Sequence, residues 1–473
     1  MTTRTSRAVV EGPVVGGSHG WSFGRPLFDL ADYGYIEEEF FLTGDASTYR
    51  QVDGTTWANT GEWLVEPRES IPFKTRFLVY RPVDPAKFNG TVVVGWNNVT
   101  AGYELFGGES PEFFEGYAFV AATVQHVGVH GFPTNSQGLA AWDPERYGSL
   151  SISTDDMSYD IFTQVAKAVG ADRDSTGVDP LGGLRVEKVI ALGASQSASR
   201  LSTYVNAIHP LEHCFDGYLL QIYFGNASPI AAGNLIININ TPSIDGAPRP
   251  RLVGTNFIRA DLDVPVMVVN SELEAISCYG VRQPDTDKFC YWESAGTCHV
   301  AIQSMDVRAP KYKREFGVEQ PVMAQMNRIS ITPLYDAAMH HLNNWVTDGK
   351  RPASQPKIEF ATSVGAEGVA AEPVVVRDQH GIAMGGIRLP QADVPVAQNC
   401  AIPLAPDIYS LLWGASHPFS RAKLDGLYSS EEAYIAAFSA AATRSVSAGV
   451  LLARDIPDQI EEARREYRRV QSL

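Results

Sequence analysis

Four apolar residues, Val189-Ile190-Ala191-Leu192, run without a break into Gly193-Ala194-Ser195-Gln196-Ser197, and helical spacing over 197–208 follows, closed by Pro210. An all-apolar run of this length reads as a strand buried on both faces, which belongs in a parallel sheet covered by helices. A turn that joins such a strand directly to a helix is tight, and it needs small residues two places before and after its apex. Gly193 and Ser197 meet that demand, with Ser197 standing where glycine is usual. Ser195 then sits at the apex, above the sheet edge, where a carbonyl can reach its hydroxyl. The backbone N–H of Gln196 opens the helix and faces the oxyanion that attack would form.

The same pattern recurs along the chain. Strand-like runs cover 91–94, 118–124, 218–224, 264–269 and 289–292, while helical spacing over 155–169 stops at Gly170. Buried strands alternating with helices predict an α/β fold, a mostly parallel central sheet with helices on both faces. Two stretches fall outside the alternation. Residues 225–261 are rich in Asn, Pro and Gly, include Ile230, Leu235, Ile236, Ile237 and Ile239, and predict a lid insertion over an apolar or bulky ligand. Residues 353–473 predict a C-terminal extension packed on a main domain of 1–352. It holds a Gly/Pro-rich ribbon over 381–403 and a capping box at Ser429-Ser430-Glu431-Glu432.

A serine needs a base, and the base needs an orienting acid. With Ser195 as nucleophile, acid and histidine are expected in that order after later strands. The strand 266–269 leads into Asn270-Ser271-Glu272-Leu273-Glu274, and 289–292 leads into Ser294-Ala295-Gly296-Thr297-Cys298-His299. His299 is the expected base. Glu274, beyond the strand end, is preferred as acid, with Glu272 as its competitor. His340 and His341 fall in a helix over 333–346 capped by Thr332, and His126 and His130 read as ordinary surface or core residues. The second oxyanion donor is expected in the loop at Asn98, where the Asn97 and Asn98 side chains could assist.

Other chemistries find little support. Lys and Arg total 38 against 54 Asp and Glu, a net charge of −16 that disfavours nucleic acid and anionic membranes. The one basic cluster, Arg464-Arg465-Glu466-Tyr467-Arg468-Arg469, reads as an exposed helix end. No glycine-rich phosphate loop follows a strand and no ligand spacing predicts a metal, so no cofactor is expected. Five cysteines without a C-x-x-C do not make a disulfide framework. No apolar run follows Arg4 and Arg7, and none is long enough to span a bilayer, which leads to the expectation of a soluble, cytoplasmic protein.

With these residues in place, the chain resembles the α/β-hydrolase superfamily, and more closely the long bacterial esterase-like family of alpha/beta hydrolase domain proteins. The likeness rests on Trp96-Asn97-Asn98-Val99-Thr100, Arg146-Tyr147-Gly148-Ser149-Leu150, and Gly193-Ala194-Ser195-Gln196-Ser197-Ala198. It continues through Asp261-Leu262-Asp263-Val264-Pro265-Val266, Ser271-Glu272-Leu273-Glu274 and Trp292-Glu293-Ser294-Ala295-Gly296-Thr297-Cys298-His299. That family also carries Gln and Ser after its nucleophile, while its acid is more often Asp. The resemblance implies a reaction class and no particular substrate. The expectation is a cofactor-independent serine hydrolase for a carboxylic ester or lactone. An acyltransferase, an amidase or a non-catalytic ligand-binding protein are the alternatives, and a homo-oligomer is left open.

Overall fold

The computed structural model describes residues 8–105, 109–173, 177–231, 255–362, 373–401 and 408–473. Apolar and β-branched runs form β1 (Val9–Glu11), β2 (Tyr35–Gln51), β3 (Val65–Pro82), β4 (Thr91–Trp96), β5 (Ala118–Ala122), β6 (Lys188–Ala194), β7 (Gly217–Gln221), β8 (Val266–Ser271) and β9 (Phe289–Ser294). They make one sheet in the order β1-β2-β3-β5-β4-β6-β7-β8-β9. Neighbours from β5 to β9 are parallel. The long β2–β3 hairpin and β1 extend the β5 edge in antiparallel fashion.

Successive side chains of the central strands enter opposite cores. Val92, Val94, Tyr218 and Leu220 lie in one, and Val93, Ile190, Leu219 and Val269 lie in the other. This double burial is why the strands are continuous apolar runs without alternation. The helices include α1 (Ser158–Val169), α2 (Gln196–Thr203), α3 (Glu272–Ser277), α4 (Ile302–Phe316), α5 (Thr332–Asp348), α6 (Glu431–Ser447) and α7 (Ile456–Gln471). Helix α1 packs on the first core through Ile161, Phe162, Val165 and Val169, and α5 on the second through Leu334, Ala338, Leu342 and Trp345.

Several boundaries differ from the sequence reading. Pro210 does not end the helix after Ser195. The chain continues as a π-turn, Tyr204–Ile208, and then as His209–Glu212, with Pro210 in a first turn where its missing N–H leaves no bond unmade. Thr332 is the first residue of α5 and not its cap, which is Ile331. Gly170 and Gly349 do close their helices.

The stretch expected to form a lid includes residues 232–254, which lie outside the described residues, and Leu235, Ile236, Ile237 and Ile239 with them. After Pro352 the chain returns to the sheet. Ile387 donates to the Glu293 carbonyl at 2.6 Å and accepts from Ala295 N–H at 2.9 Å. Ala397–Cys400 pairs with Ala415–Pro418 as a two-stranded ribbon. Ser430 caps α6 by accepting from Ala433 N–H, and Arg464 and Arg468 of α7 bond Glu431, so the basic cluster is partly neutralised. Among the described residues, no disulfide joins any of the five cysteines. Among the described residues, no helix is long and apolar enough to cross a membrane.

The connectivity locates a crevice. From β4 the chain moves to β5 on one side, then returns past β4 to β6 on the other. In open α/β sheets, ligands bind outside the carboxyl ends of strands at such a reversal. The β4 end carries Asn97 and Asn98, and the β6 end carries Ser195.

Candidate active site

Ser195 has φ 60° and ψ −119°, a conformation in which only glycine is unstrained. The surroundings hold it there. Its N–H bonds the Gln221 carbonyl at 2.9 Å, extending the ladder to β7, and its carbonyl accepts the first helical bond from Ser199 N–H at 3.1 Å. Gly193 is required because a Cβ there would stand 2.7 Å from the Ser197 carbonyl oxygen. Ser197, in the place where glycine is usual, closes the turn. Its hydroxyl accepts from Ala194 N–H at 2.9 Å and donates to the Ala194 carbonyl at 2.8 Å.

Glu274 and His299 meet as the sequence order requires. The His299 ring bonds Glu274 Oε1 through Nδ1 at 2.7 Å, with both side chains nearly or fully buried. Glu274 is the third residue of α3, where Oε2 accepts from Ser271 N–H at 3.1 Å in a capping box and also from the Ser271 hydroxyl. These bonds fix the carboxylate in orientation. Holding Nδ1–H leaves Nε2 as the ring's lone-pair nitrogen. The ring also stacks on Phe224, with centroids 5.2 Å apart. Neither the Ser195 hydroxyl nor His299 Nε2 has a hydrogen-bond partner among the described residues. Both line the same cavity of about 520 Å³.

Glu272 points elsewhere. Its carboxylate is fully buried, pairs with Arg377 at 2.6 Å and accepts from Gly296 N–H at 2.9 Å. It ties the loop before His299 to the tail and makes no contact with the ring.

The Asn98 side chain is likewise engaged. Its Nδ2 donates to the Ala194 carbonyl at 3.0 Å, and its Oδ1 accepts from Thr100 N–H at 2.9 Å. The assistance expected of this side chain is thus a brace between the β4 loop and the serine turn. Its backbone N–H has no acceptor among the described residues, and the Gln196 N–H lies in the first turn of α2, where no intrahelical acceptor exists. Both residues line the cavity.

A buried network behind the turn was not legible from spacing. Gln125 accepts from Trp96 Nε1 at 3.0 Å and from Gln196 Nε2 at 3.1 Å, and donates to Asp155 at 2.8 Å. Asp155 also receives Arg200 at 3.0 Å. These residues scatter over four segments, so only the folded sheet brings them together. The tail also reaches the site, where Leu411 and Leu412 line the cavity.

The remaining histidines stay outside the cavity lining. His126 bonds the Ile152 carbonyl and lies tilted against the His130 ring, and His341 bonds the Gly449 carbonyl. Among the described residues, one group could hold a metal ion: His209, His213 and Asp263, away from the serine cavity. Sequence spacing did not announce it. In the structure Asp263 bridges the two rings at 2.7 and 3.1 Å, and Tyr218 occupies the other side of His209 at 2.8 Å.

A mostly parallel sheet whose central strand ends in a strained serine turn, with an acid and a histidine delivered by the last two strands, defines the α/β-hydrolase class. The chain belongs to the alpha/beta hydrolase domain family, which matches residues 10–461. No curated protein matches it in sequence. Among solved structures it is similar to esterase Est22, at 10% identity over 50% of this chain and 64% of that one, with a TM-score of 0.27. A brefeldin A esterase, described as a bacterial homologue of human hormone sensitive lipase, shares 10% identity over 42% and 44% of the two chains, TM-score 0.22. Esterases from Rhizomucor miehei share 11% identity over 67% and 85%, TM-score 0.30. The chain spans less than two thirds of the length of the first two.

Proposed function

We propose that the protein is a serine hydrolase that cleaves a carboxylic ester or lactone through an acyl-enzyme. Ser195 Oγ attacks the carbonyl carbon while His299 Nε2 takes its proton. Glu274 holds the Nδ1–H tautomer and stabilises the imidazolium that forms. The backbone N–H groups of Gln196 and Asn98 receive the oxyanion. His299 then protonates the leaving alcohol, and a water molecule, activated by the same ring, releases the acid and restores Ser195. The cavity volume and its Phe113, Phe119, Leu192 and Met339 walls suit an apolar or bulky acyl group.

The observation that carries this reading is the His299–Glu274 bond, which leaves Nε2 unpartnered in the cavity where Ser195 opens. Unliganded sites of this kind often close the serine–histidine bond only with substrate. Fluorophosphonate labelling with peptide mass analysis, on wild type beside Ser195→Ala, tests it. One adduct on Ser195, absent from the variant, is expected. A folded wild-type protein that takes no adduct and hydrolyses no p-nitrophenyl ester would refute it.

A further inference from the structure

Helices α4 and α5 contribute part of the cavity wall. Ser304, Val307 and Arg308 face the cavity from α4, and Thr332, Tyr335 and Met339 face it from α5. Cations elsewhere on this helix and around the cavity are matched. Lys311 pairs with Glu109, Arg314 with Glu315, and Arg200 with Asp155 at 3.0 Å. Arg308 has no ion pair and no hydrogen bond among the described residues. Burial pulls its pKa below the usual guanidinium value, and the groups acting on it are Tyr103 and Tyr335, with no carboxylate among them. Arginine stays charged even so. Beside it, the Tyr335 hydroxyl is buried without a partner, in a position that also feels the charge of Glu274.

The Tyr335 hydroxyl, buried without a partner, destabilises the empty protein, and the half-buried Arg308 guanidinium brings to the cavity a charge that no described residue matches. Glu109 lines the same cavity and could have served as an internal partner, yet Lys311 holds it. We infer that Arg308 and Tyr335 form a carboxylate subsite, so that the ester or lactone cleaved at Ser195 carries a free carboxylate away from the scissile bond. One guanidinium and one hydroxyl match a monoanion, the guanidinium by a charge-assisted pair and Tyr335 by donating to the same group. The apolar walls between would hold the connecting carbons. This inference rests on the hydrolase reading for its substrate but not for its binding site.

The test compares monoethyl esters of succinic, glutaric, adipic and suberic acids with ethyl esters of unsubstituted acids of equal length. ω-Acetoxy acids against alkyl acetates do the same for the alcohol side. In one of the two series the carboxylate is expected to raise kcat/KM roughly tenfold to hundredfold, although it lowers apolar contact. Arg308→Met should bring that ratio to about one, and Tyr335→Phe should lower it in part. A wild-type ratio near one in both series, or a ratio unchanged in Arg308→Met, would overturn the subsite. Binding of adipate and hexanoate by calorimetry, against hexanol, reads the subsite without turnover. Both acids should bind wild type and not Arg308→Met. Absence of Ser195 labelling with carboxylate binding intact would remove the hydrolase reading and leave the subsite standing. Equal binding by both proteins would remove the subsite alone.

Discussion

Glu272 and Glu274 stand two residues apart, are both fully buried, and should fail in opposite ways. In Glu274→Gln the side chain still fits, but its amide must present N–H₂ either to His299 Nδ1–H or to the Ser271 donors that meet Oε2 now. One orientation reverses the imidazole tautomer and removes the lone pair at Nε2, an effect worth roughly 10³–10⁴ in kcat in a comparable triad. Glu272→Gln removes the charge that faces Arg377 at 2.6 Å, and its one remaining oxygen can meet either Arg377 or the Gly296 N–H but not both. Arg377 is partly exposed, so the loss is discounted to about 2–4 kcal/mol of stability. With an unfolding entropy of ~2 cal/mol/K per residue, that lowers Tm by only about 2–4 °C. The assay is kcat on a p-nitrophenyl ester, normalised to labelled Ser195, beside calorimetric Tm. Glu274→Gln should lose at least about a thousandfold in kcat with little change in Tm, and Glu272→Gln at most about tenfold, with the lower Tm. A larger kcat loss in Glu272→Gln would refute the assignment of the acid.

Three further outcomes are expected. Ser195→Gly should abolish turnover yet raise stability by about 1 kcal/mol, because glycine accepts φ 60° without strain; a lower urea midpoint than wild type would contradict this. Asn98→Ala should lower kcat roughly tenfold to hundredfold with little effect on KM, since the bond to the Ala194 carbonyl that positions the serine turn is lost; unchanged kcat would count against the brace. Asp336, raised from 3.8 to about 7 chiefly by burial, with the charges of Asp455 and Glu112 adding, contributes stability that is fully present below about pH 4 and lost as pH rises through about 7. Of the total of about 4 kcal/mol, roughly 3 kcal/mol is lost between pH 5 and 8, so over that range the urea midpoint of wild type should fall more than that of Asp336→Asn, and parallel curves would exclude the effect.

The sequence was most informative where a local rule fixes the backbone. Val189 to Ser197 announces a buried strand and a tight serine turn because each residue there answers to its immediate neighbours. Glu274 and His299 followed from chain order, since parallel strands deliver their ends to one edge in sequence. Between Glu272 and Glu274, however, sequence could state only a preference. The distinction depends on Arg377, 105 residues from Glu272 in the chain, which occupies one of them. Pro210 misled because proline ends a helix interior but is harmless in a first turn, and the π-turn before it created a new first turn. The Asn98 side chain was read as a donor to substrate, and its partner, the Ala194 carbonyl, is adjacent only after β4 and β6 pair.

Several departures from ordinary folding rules lie around the serine cavity. The strained Ser195 backbone, the unpartnered Gln196 Oε1, Arg200 Nε and Tyr335 hydroxyl, and the unpaired Arg308 guanidinium all belong to its lining. The backbone strain and the buried unpartnered atoms lower the stability of the empty protein, and a chain selected for folding alone would lose them readily. The side chains of Glu272, Asn98 and Ser197, by contrast, are each held by two or more hydrogen bonds. The two groups should therefore answer substitution with opposite signs. Ser195→Gly and Arg308→Met should raise Tm, while Glu272→Gln and Ser197→Ala lower it, the last through a stability loss of about 1–2 kcal/mol for two lost hydrogen bonds. If Arg308→Met instead lowers Tm as much as Glu272→Gln, then Arg308 supports the fold from within, and its want of a partner is no sign of a ligand.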